Sequence, residues 1–229
     1  MIKIDELFQN TEIISEEDSK INKYTFMGYY FKLNNYRIFT YNNLVHILDK
    51  GYEVFPPLIS MARQEGRCLC VFNKINEKHV QVFCRSLNEH NFFSIKENLF
   101  FPYGIGMFQK DFKYGMPIVI CEGIADRDLL AHCYPNVIAV ANKRLNPFQL
   151  VCVKSLTNNV ILAYDSDKTG QNSFYKDSEK LKKDGFSVKL LKHIDKDAGD
   201  VVEYARKGDI MKFELYCQRY KSFINSCFI

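Results

Sequence analysis

The sequence predicts an α/β protein in which a parallel sheet flanked by helices follows an α+β N-terminal part. The pattern of the chain changes near Gly115, and beyond that point short apolar strands alternate regularly with helical segments. Strands that alternate with helices form parallel sheets through right-handed crossovers. A chain of 229 residues, 47% hydrophobic and 25% charged, can also bury a large core. We therefore expect residues 1–115 to form an α+β subdomain, residues 116–200 an α/β domain and residues 201–229 a helical tail.

Composition narrows the class of protein. No apolar run approaches the roughly 18 residues that a membrane span needs, and the N-terminus is acidic and polar rather than signal-like. We therefore expect a cytoplasmic protein with no membrane partner. The eight cysteines include no Cys-x-x-Cys pair and mostly lie within apolar runs, which favours buried thiols over zinc ligands. The net charge of +4 is compatible with nucleic-acid binding but is not specific for it.

The N-terminal part combines strand and helix signals. The predicted elements are strand-like aromatic and β-branched runs at residues 23–32 and 36–41, a hairpin formed by residues 68–73 and 82–86, and helices at residues 42–50 and 57–64. Pro56 and Pro57 mark the start of the second helix. This mixture of strands and helices is typical of an α+β arrangement.

The C-terminal part contains four apolar runs separated by helical ones. The predicted strands are residues 117–121, 137–141, 159–164 and 186–192, and the predicted helices are residues 125–132, a helix from Asn146, residues 170–183, and one or two helices within residues 200–228. Asn146 followed by Pro147 is typical of a helix start, because Asn caps well and Pro suits the first turn. Asp184 followed by Gly185 is typical of a helix end.

Acidic residues follow three of these strands at the point where each strand ends. Glu122 and Asp126 come after the first strand, Asp165 and Asp167 after the third, and Asp197 and Asp200 after the fourth. The carboxyl ends of parallel strands meet at one edge of the sheet, where open α/β sheets bind ligands. We therefore expect these carboxylates to converge on one site.

Carboxylates that converge on one edge repel one another unless a cation neutralises them. Hard oxygen ligands favour Mg²⁺, with Mn²⁺ as a substitute. Protein-bound Mg²⁺ keeps several waters and is completed by substrate phosphates, so the pattern predicts phosphoryl or nucleotidyl transfer. Histidine is absent from the acidic clusters apart from His193, which argues against a zinc hydrolase.

Each of these features also has a purely structural interpretation. An Asp-Ser-Asp sequence after a strand is commonly a turn and helix cap, and Asp197 or Asp200 could cap the last helix, with Asp200 well placed as its N-cap. Lys143 and Arg144, which follow the second strand, could neutralise phosphates or template, or simply lie in a solvated loop. The order of three acidic clusters along one edge is what favours a functional site.

The order Glu-Gly-x-x-Asp, then Asp-x-Asp-x-x-Gly, then Lys-Asp-x-x-Asp closely resembles the TOPRIM domain of DnaG-type bacterial and phage primases. The similar stretch runs from Pro117 to Asp209 and includes the helix after Gly170 and the ending Arg206-Lys207-Gly208. The resemblance implies a TOPRIM parallel sheet flanked by helices. It also implies that residues 1–115 are a primase-like subdomain that forms a cleft for template and nucleotides.

The resemblance implies roles for individual residues. Glu122 would act as general base or share in metal binding, while Asp165 and Asp167 would hold catalytic Mg²⁺. Further metal-binding positions implied by the resemblance are Asp126, Asp197 and Asp200. The implied partners are a single-stranded DNA template and nucleoside triphosphates, in the cytoplasm of a bacterial or phage-infected cell.

The sequence departs from the family pattern in three respects. The family's zinc ribbon and helicase-binding region have no counterpart here, and a Lys-Tyr-Leu-Asn signature of the nucleotide-binding face is missing. Arg85, at the end of a hairpin strand, sits near a comparable basic position, which implies a contact with nucleotide or nucleic acid. We therefore expect a replicative helicase or a separate recruiting protein as a partner.

Three functions are consistent with the sequence. The leading hypothesis is a DNA primase catalytic core, a nucleotidyltransferase that synthesises short RNA primers on single-stranded DNA during DNA replication. The first alternative is a TOPRIM-type nuclease, which uses similar carboxylates to activate water. The second is a non-catalytic, primase-like nucleic-acid-binding regulator. Retention of Glu122, Asp165 and Asp167 favours the catalytic hypotheses, because mutually repelling carboxylates are a cost to a domain that does not use them.

Overall fold

The chain forms two compact units, residues 1–99 and residues 100–229, each with its own sheet. The computed structural model describes residues 11–49, 56–75, 80–88, 92–94, 101–105, 113–141, 145–191 and 198–227. The sheet of the first unit is antiparallel and contains the predicted hairpin, and the sheet of the second unit is parallel, as predicted. The division of the chain into residues 1–115, 116–200 and 201–229 stays a prediction.

The first unit is built on a four-stranded antiparallel sheet in the order β1-β2-β3-β4. Its strands are Tyr36–Thr40 (β1), Arg67–Lys74 (β2), Val80–Ser86 (β3) and Phe92–Ser94 (β4), and its helices are Glu16–Ser19 (α1), Lys23–Tyr30 (α2), Tyr41–Asp49 (α3) and Pro56–Glu65 (α4). The predicted hairpin is confirmed, with Cys70 opposite Cys84 across β2 and β3. The two helices predicted at residues 42–50 and 57–64 are confirmed as α3 and α4.

The prediction of strand structure at residues 23–32 is wrong, because these residues form helix α2. The side chain of Asn22 accepts hydrogen bonds from the backbone N–H groups of Tyr24 and Thr25, at 3.0 and 3.1 Å. The Thr25 hydroxyl in turn accepts from the Asn22 N–H at 3.2 Å, which completes a capping box. The helix also buries Met27 completely. A cap and a buried face thus outweigh the β-propensity of an aromatic run.

Buried thiols contribute to the core of the first unit. Phe39, Phe72 and Leu44 pack with the side chains of three fully buried cysteines, which are Cys68, Cys70 and Cys84. All eight cysteines of the chain are free thiols. The prediction that the cysteines serve mainly as small apolar side chains is consistent with this packing.

The second unit is built on a four-stranded parallel sheet in the order β6-β5-β7-β8. Its strands are Ile118–Cys121 (β5), Val137–Ala139 (β6), Asn159–Ala163 (β7) and Ser187–Leu190 (β8). Its helices are Ile124–Cys133 (α5), Pro147–Lys154 (α6), Lys168–Lys183 (α7), Val202–Arg206 (α8) and Ile210–Ser226 (α9), with a 3₁₀ turn at Gly199–Val201. Every residue of the central strand β5 is buried, as expected for a strand covered by helices on both faces.

Helix ends in the second unit follow local signals. Asn146 caps α6 by accepting a hydrogen bond from the Gln149 N–H at 2.8 Å, with Pro147 in the first turn, as predicted. Helix α7 has Asp184 as its C-cap, followed by Gly185 with a φ of +87°. The last helix is capped by Asp209 and not by Asp200. Asp200 lies inside the 3₁₀ turn, so its backbone is already helical and cannot take the extended conformation of an N-cap.

None of the helices in the described ranges combines the length and the apolar character that a membrane crossing requires.

Candidate active site

The carboxyl ends of β5 and β7 lie side by side at one edge of the parallel sheet. These two strands pair directly, with Cys121 opposite Ala163. Glu122 follows β5 immediately, and Asp165 follows β7 after one intervening residue. The backbone of Glu122 is held in turn by the segment after β6, because its carbonyl accepts a hydrogen bond from the Ala141 N–H at 3.0 Å. The prediction that the parallel sheet brings the first and second acidic clusters to one edge is therefore confirmed for Glu122 and Asp165.

Glu122 lies in an electrostatically unfavourable position. One oxygen of its carboxyl group, Oε1, is buried and has no hydrogen-bond partner within the described part of the chain. Burial, together with the nearby charges of Asp165, Asp167 and Asp177, raises the pKa of Glu122 to about 7. A hydrogen bond from the Asp165 backbone N–H lowers the pKa of Glu122, but by less than burial and the neighbouring charges raise it. The site therefore favours a proton or a cation beside Glu122.

The Asp-Ser-Asp segment is a turn that leads into α7. Asp167 is the N-cap of this helix, and its Oδ1 accepts a hydrogen bond from the Gly170 N–H at 2.8 Å. The Gln171 side chain donates to the Ser166 carbonyl at 2.9 Å. The structural interpretation of Asp167 as a cap is thus confirmed, and the residue is exposed at the surface.

Gly170 allows the start of α7 to lie against the backbone of Asp165. A Cβ atom at this position would be 2.8 Å from the Asp165 carbonyl carbon, 2.9 Å from its nitrogen and closer still to its carbonyl oxygen. Such distances are far inside van der Waals contact, so any larger residue has to displace one of the two segments. Gly170 therefore positions the backbone that carries Asp165.

Asp126 has a structural role that the sequence did not reveal. Its carboxylate accepts hydrogen bonds from the Gly123 N–H at 3.2 Å and the Gly199 N–H at 2.6 Å, and its side chain is buried. These bonds connect the turn after β5 to the 3₁₀ turn that contains Asp200. Asp126 thus brings the third acidic region next to the first, while its own predicted metal contact stays a prediction.

Three of the predicted site residues are not described by the structure. Lys143, Arg144 and Asp197 lie outside the described residues, so their predicted roles stay predictions. Asp200 is half-buried in the 3₁₀ turn.

Arg85 lies on β3 of the first unit, where it is only 3% exposed. Its guanidinium group stacks on the ring of Tyr24 at 4.1 Å from the ring centroid, and its Nε donates to the Ser86 carbonyl at 3.3 Å. Burial lowers the pKa of Arg85 from its usual value. Contact with nucleotide or nucleic acid at Arg85 stays a prediction.

Asp177 was missed by the sequence analysis although it contributes to the charge at the site. It is buried on α7 and accepts hydrogen bonds from the Tyr164 hydroxyl at 2.8 Å and the Leu145 N–H at 3.4 Å. Its charge is one of those that raise the pKa of Glu122. Helical spacing places Asp177 on the same face as Leu181, which is the one signal that could have identified it as buried.

The carboxylate groups of this site are the candidate ligands of the predicted Mg²⁺. Within the ranges that the structure describes, no three Asp, Glu, His or Cys side chains are arranged as a ready-made metal site. Mg²⁺ nevertheless commonly binds through one or two carboxylates, with water and substrate phosphates as the other ligands. The unpartnered Glu122 oxygen beside Asp165 fits this mode of binding, because a divalent cation would satisfy it and offset the repulsion between the carboxylates.

Replacing Glu122 with glutamine is expected to stabilise the metal-free protein at alkaline pH. Because the pKa of Glu122 is raised in the folded state, its ionisation destabilises the protein as the pH rises from about 4.5 to about 7. Because Glu122 is partly exposed, we expect the free energy of unfolding of E122Q at pH 8 to exceed that of the wild type by about 1 kcal/mol, or roughly 2–4 °C in Tm. The measurement is thermal unfolding in EDTA at pH 5 and at pH 8.

The matched control for E122Q is Glu179→Gln on the exposed part of α7. This variant should show the same Tm difference from the wild type at both pH values. A Tm gain of E122Q that is equally large at pH 5 would contradict the raised pKa of Glu122, because the wild-type carboxyl group is largely neutral in the folded protein at that pH.

Comparison with known proteins identifies the class of this domain. Residues 117–208 match the family model described as Toprim domain. The resemblance inferred from the order of the acidic clusters is therefore confirmed for this segment. No curated protein sequence matches the chain.

Solved structures with a similar fold come from DnaG-type primases. The RNA polymerase domain of Mycobacterium tuberculosis primase DnaG has a TM-score of 0.56 and 17% identity, over 88% of this chain and 76% of that chain. The DnaG primase catalytic domain bound to ssDNA has a TM-score of 0.52 and 16% identity, over 76% and 59%. A DNA primase domain from Pseudomonas aeruginosa has a TM-score of 0.52 and 17% identity, over 74% and 58%.

These similarities define the fold of the chain. Its α/β architecture, with a parallel sheet flanked by helices and preceded by an antiparallel sheet, is that of the DnaG-type primase catalytic domains. The chain spans somewhat more than half the length of the ssDNA-bound and Pseudomonas aeruginosa domains.

Proposed function

We propose that this protein is a DNA primase catalytic core that synthesises short RNA primers on single-stranded DNA. The observation that carries the proposal is the placement of Glu122 beside Asp165 and Asp167, at the carboxyl edge of a parallel sheet that matches the Toprim domain. The likeness in fold to primase catalytic domains supports it. The partners in this proposal are a single-stranded DNA template, nucleoside triphosphates and a replicative helicase or separate recruiting protein.

Glu122, Asp165 and Asp167 are the residues that would hold Mg²⁺, or Mn²⁺ in its place. When bound, the cation would neutralise the triphosphate and lower the pKa of the attacking 3′-hydroxyl. Asp126, Asp197 and Asp200 are further proposed ligands. Of these, Asp126 already accepts hydrogen bonds from two backbone N–H groups, so its main contribution is to orient the turn after β5.

Glu122 is suited to move a proton near neutral pH. A general base works best when its pKa is close to the operating pH, and burial with neighbouring carboxylates raises the pKa of Glu122 to about 7. The backbone N–H of Asp165 orients the Glu122 carboxylate. Asp167 holds the start of α7, so the two acidic segments are fixed before substrate binds. Sequence specificity would come from base pairing with the template rather than from side chains.

The test is a de novo synthesis assay with purified protein, single-stranded DNA, labelled nucleoside triphosphates and Mg²⁺ or Mn²⁺. We expect the wild type to make short RNA products that disappear when EDTA is added. Degradation of the template instead of synthesis would support a Toprim-type nuclease. Binding of the strand with neither reaction would support a non-catalytic regulator and overturn the proposal.

A further inference from the structure

A cavity of about 390 Å³ opens beside the proposed active site. Its lining includes Asp165 and Ser166 from the acidic turn, Phe174 and Tyr175 from α7, and Leu190 from the edge strand β8. This volume lies within the range of small-molecule sites, which is roughly 300–1,000 Å³. The cavity therefore shares a wall with the site while the rest of its lining is largely apolar.

The aromatic part of this cavity is open to a ligand. Tyr175 is 67% exposed, whereas Phe174 is half-buried and packs against the core of the second unit. Their ring centroids are 5.5 Å apart, with an angle of 66° between the ring planes. The ring of Tyr175 thus packs against the ring of Phe174 and is exposed to solvent. Flat aromatic surfaces of this kind bind nucleobases by stacking, whatever the identity of the base.

Polar groups at the rim of the cavity suit the edge of a base. Gln171 is exposed, and its amide group donates to the Ser166 carbonyl at 2.9 Å. A side-chain amide has two N–H donors and a carbonyl acceptor, so Gln171 can bind Ser166 and a base edge together. An apolar floor with a few polar groups at the rim is typical of sites for planar, partly polar ligands.

Charge determines how a nucleotide would lie in the cavity. The carboxylate of Asp165 repels a phosphate group unless a cation lies between them. The phosphates of a nucleotide would therefore lie toward the proposed metal ligands Glu122, Asp165 and Asp167. The uncharged base would lie toward Tyr175 and Leu190, where it covers apolar surface that is now exposed.

We propose that this cavity binds the base of a nucleoside triphosphate by stacking on Tyr175, with the triphosphate directed to the acidic site. The inference rests on the proposed function, since it assigns the triphosphate to the same carboxylates. It adds a binding site for the base, formed by α7 and β8.

The experiment measures the affinity of the full chain for ATP and for inorganic tripolyphosphate, each with Mg²⁺, together with a single-stranded oligothymidine. Tripolyphosphate serves as the probe without a base. The variants are Tyr175→Ala and Tyr175→Phe, with Tyr114→Ala as the matched control, because Tyr114 is an exposed tyrosine of the same unit that does not line the cavity. Thermal unfolding verifies that each variant is folded.

We expect Y175A to bind ATP about tenfold more weakly than the wild type, as loss of one stacking partner predicts. Its affinity for tripolyphosphate should be unchanged, and Y175F and Y114A should behave like the wild type. Unchanged ATP affinity of Y175A overturns the base site but leaves the proposed function standing. If Y175A loses affinity for oligothymidine alone, the surface around Tyr175 binds the template strand, and this result also overturns the inference. Failure of the wild type to bind either ATP or tripolyphosphate overturns both the base site and the proposed function.

Discussion

Replacing Asp165 with alanine is expected to abolish primer synthesis and to leave the protein folded. Asp165 lies beside Glu122, since the strands β5 and β7 that precede these two residues pair directly and the charge of Asp165 raises the pKa of Glu122. Loss of a proposed metal ligand removes several kcal/mol of transition-state stabilisation, which corresponds to a fall in the rate of synthesis of at least about 10³-fold. The measurement is the amount of labelled RNA product per unit time at saturating Mg²⁺.

Thermal unfolding separates this expectation from a structural defect. D165A should have a Tm equal to or above that of the wild type, because a charge that repels Glu122 has been removed. Glu179→Ala on the exposed part of α7 serves as control and should retain full activity. An unfolded D165A protein would indicate a structural role for Asp165, and an active D165A protein would place the chemistry elsewhere.

Replacing Gly170 with alanine is expected to impair both stability and synthesis. The added Cβ would overlap the Asp165 carbonyl group, so either α7 or the acidic turn has to move. Overpacking of this kind costs about 1–3 kcal/mol, or roughly 2–12 °C in Tm for a chain of this size. A displacement of about 1 Å at a reacting centre can lower the rate about 100-fold. The measurements are the Tm and the rate of primer synthesis.

Asn172→Ala is the control for G170A, because Asn172 is exposed two residues further along α7. Alanine has a higher helix propensity than asparagine, so N172A should be as stable as the wild type or slightly more stable. If residue 170 did not lie against the backbone of Asp165, G170A would be more stable than the wild type because alanine has a higher helix propensity than glycine. A more stable and fully active G170A protein would therefore disprove the contact between Gly170 and Asp165.

Much of the second unit could be predicted because its signals are local. Strand β5 is apolar at every position since it is covered on both faces, and Asn146 and Gly185 mark helix ends by their own conformational preferences. The alternation of strands and helices predicts that β5 and β7 are parallel, and the structure shows that they are neighbours. These rules were sufficient to predict that Glu122 and Asp165 lie at the same edge of the sheet.

Predictions from local sequence signals were wrong where two signals favoured different conformations. The aromatic run at residues 23–32 favours a strand, yet Asn22 caps a helix there and Met27 is buried beneath it. Asp200 has the residue type of an N-cap, but the 3₁₀ turn includes it and the last helix begins after Gly208, whose φ is +88°. In both cases the packing of the surrounding chain decided between two conformations that the residues permit.

The sequence by itself determined the class of fold, the order of the acidic clusters and the edge of the sheet at which they lie. Only the tertiary structure decided how each carboxylate is used. Asp126 accepts a hydrogen bond from Gly199, 73 residues away, and Asp177 is buried against Tyr164, so neither role has a local signature. The raised pKa of Glu122 likewise depends on burial and on charges from distant segments, because electrostatic energy follows distance in space and not separation along the chain.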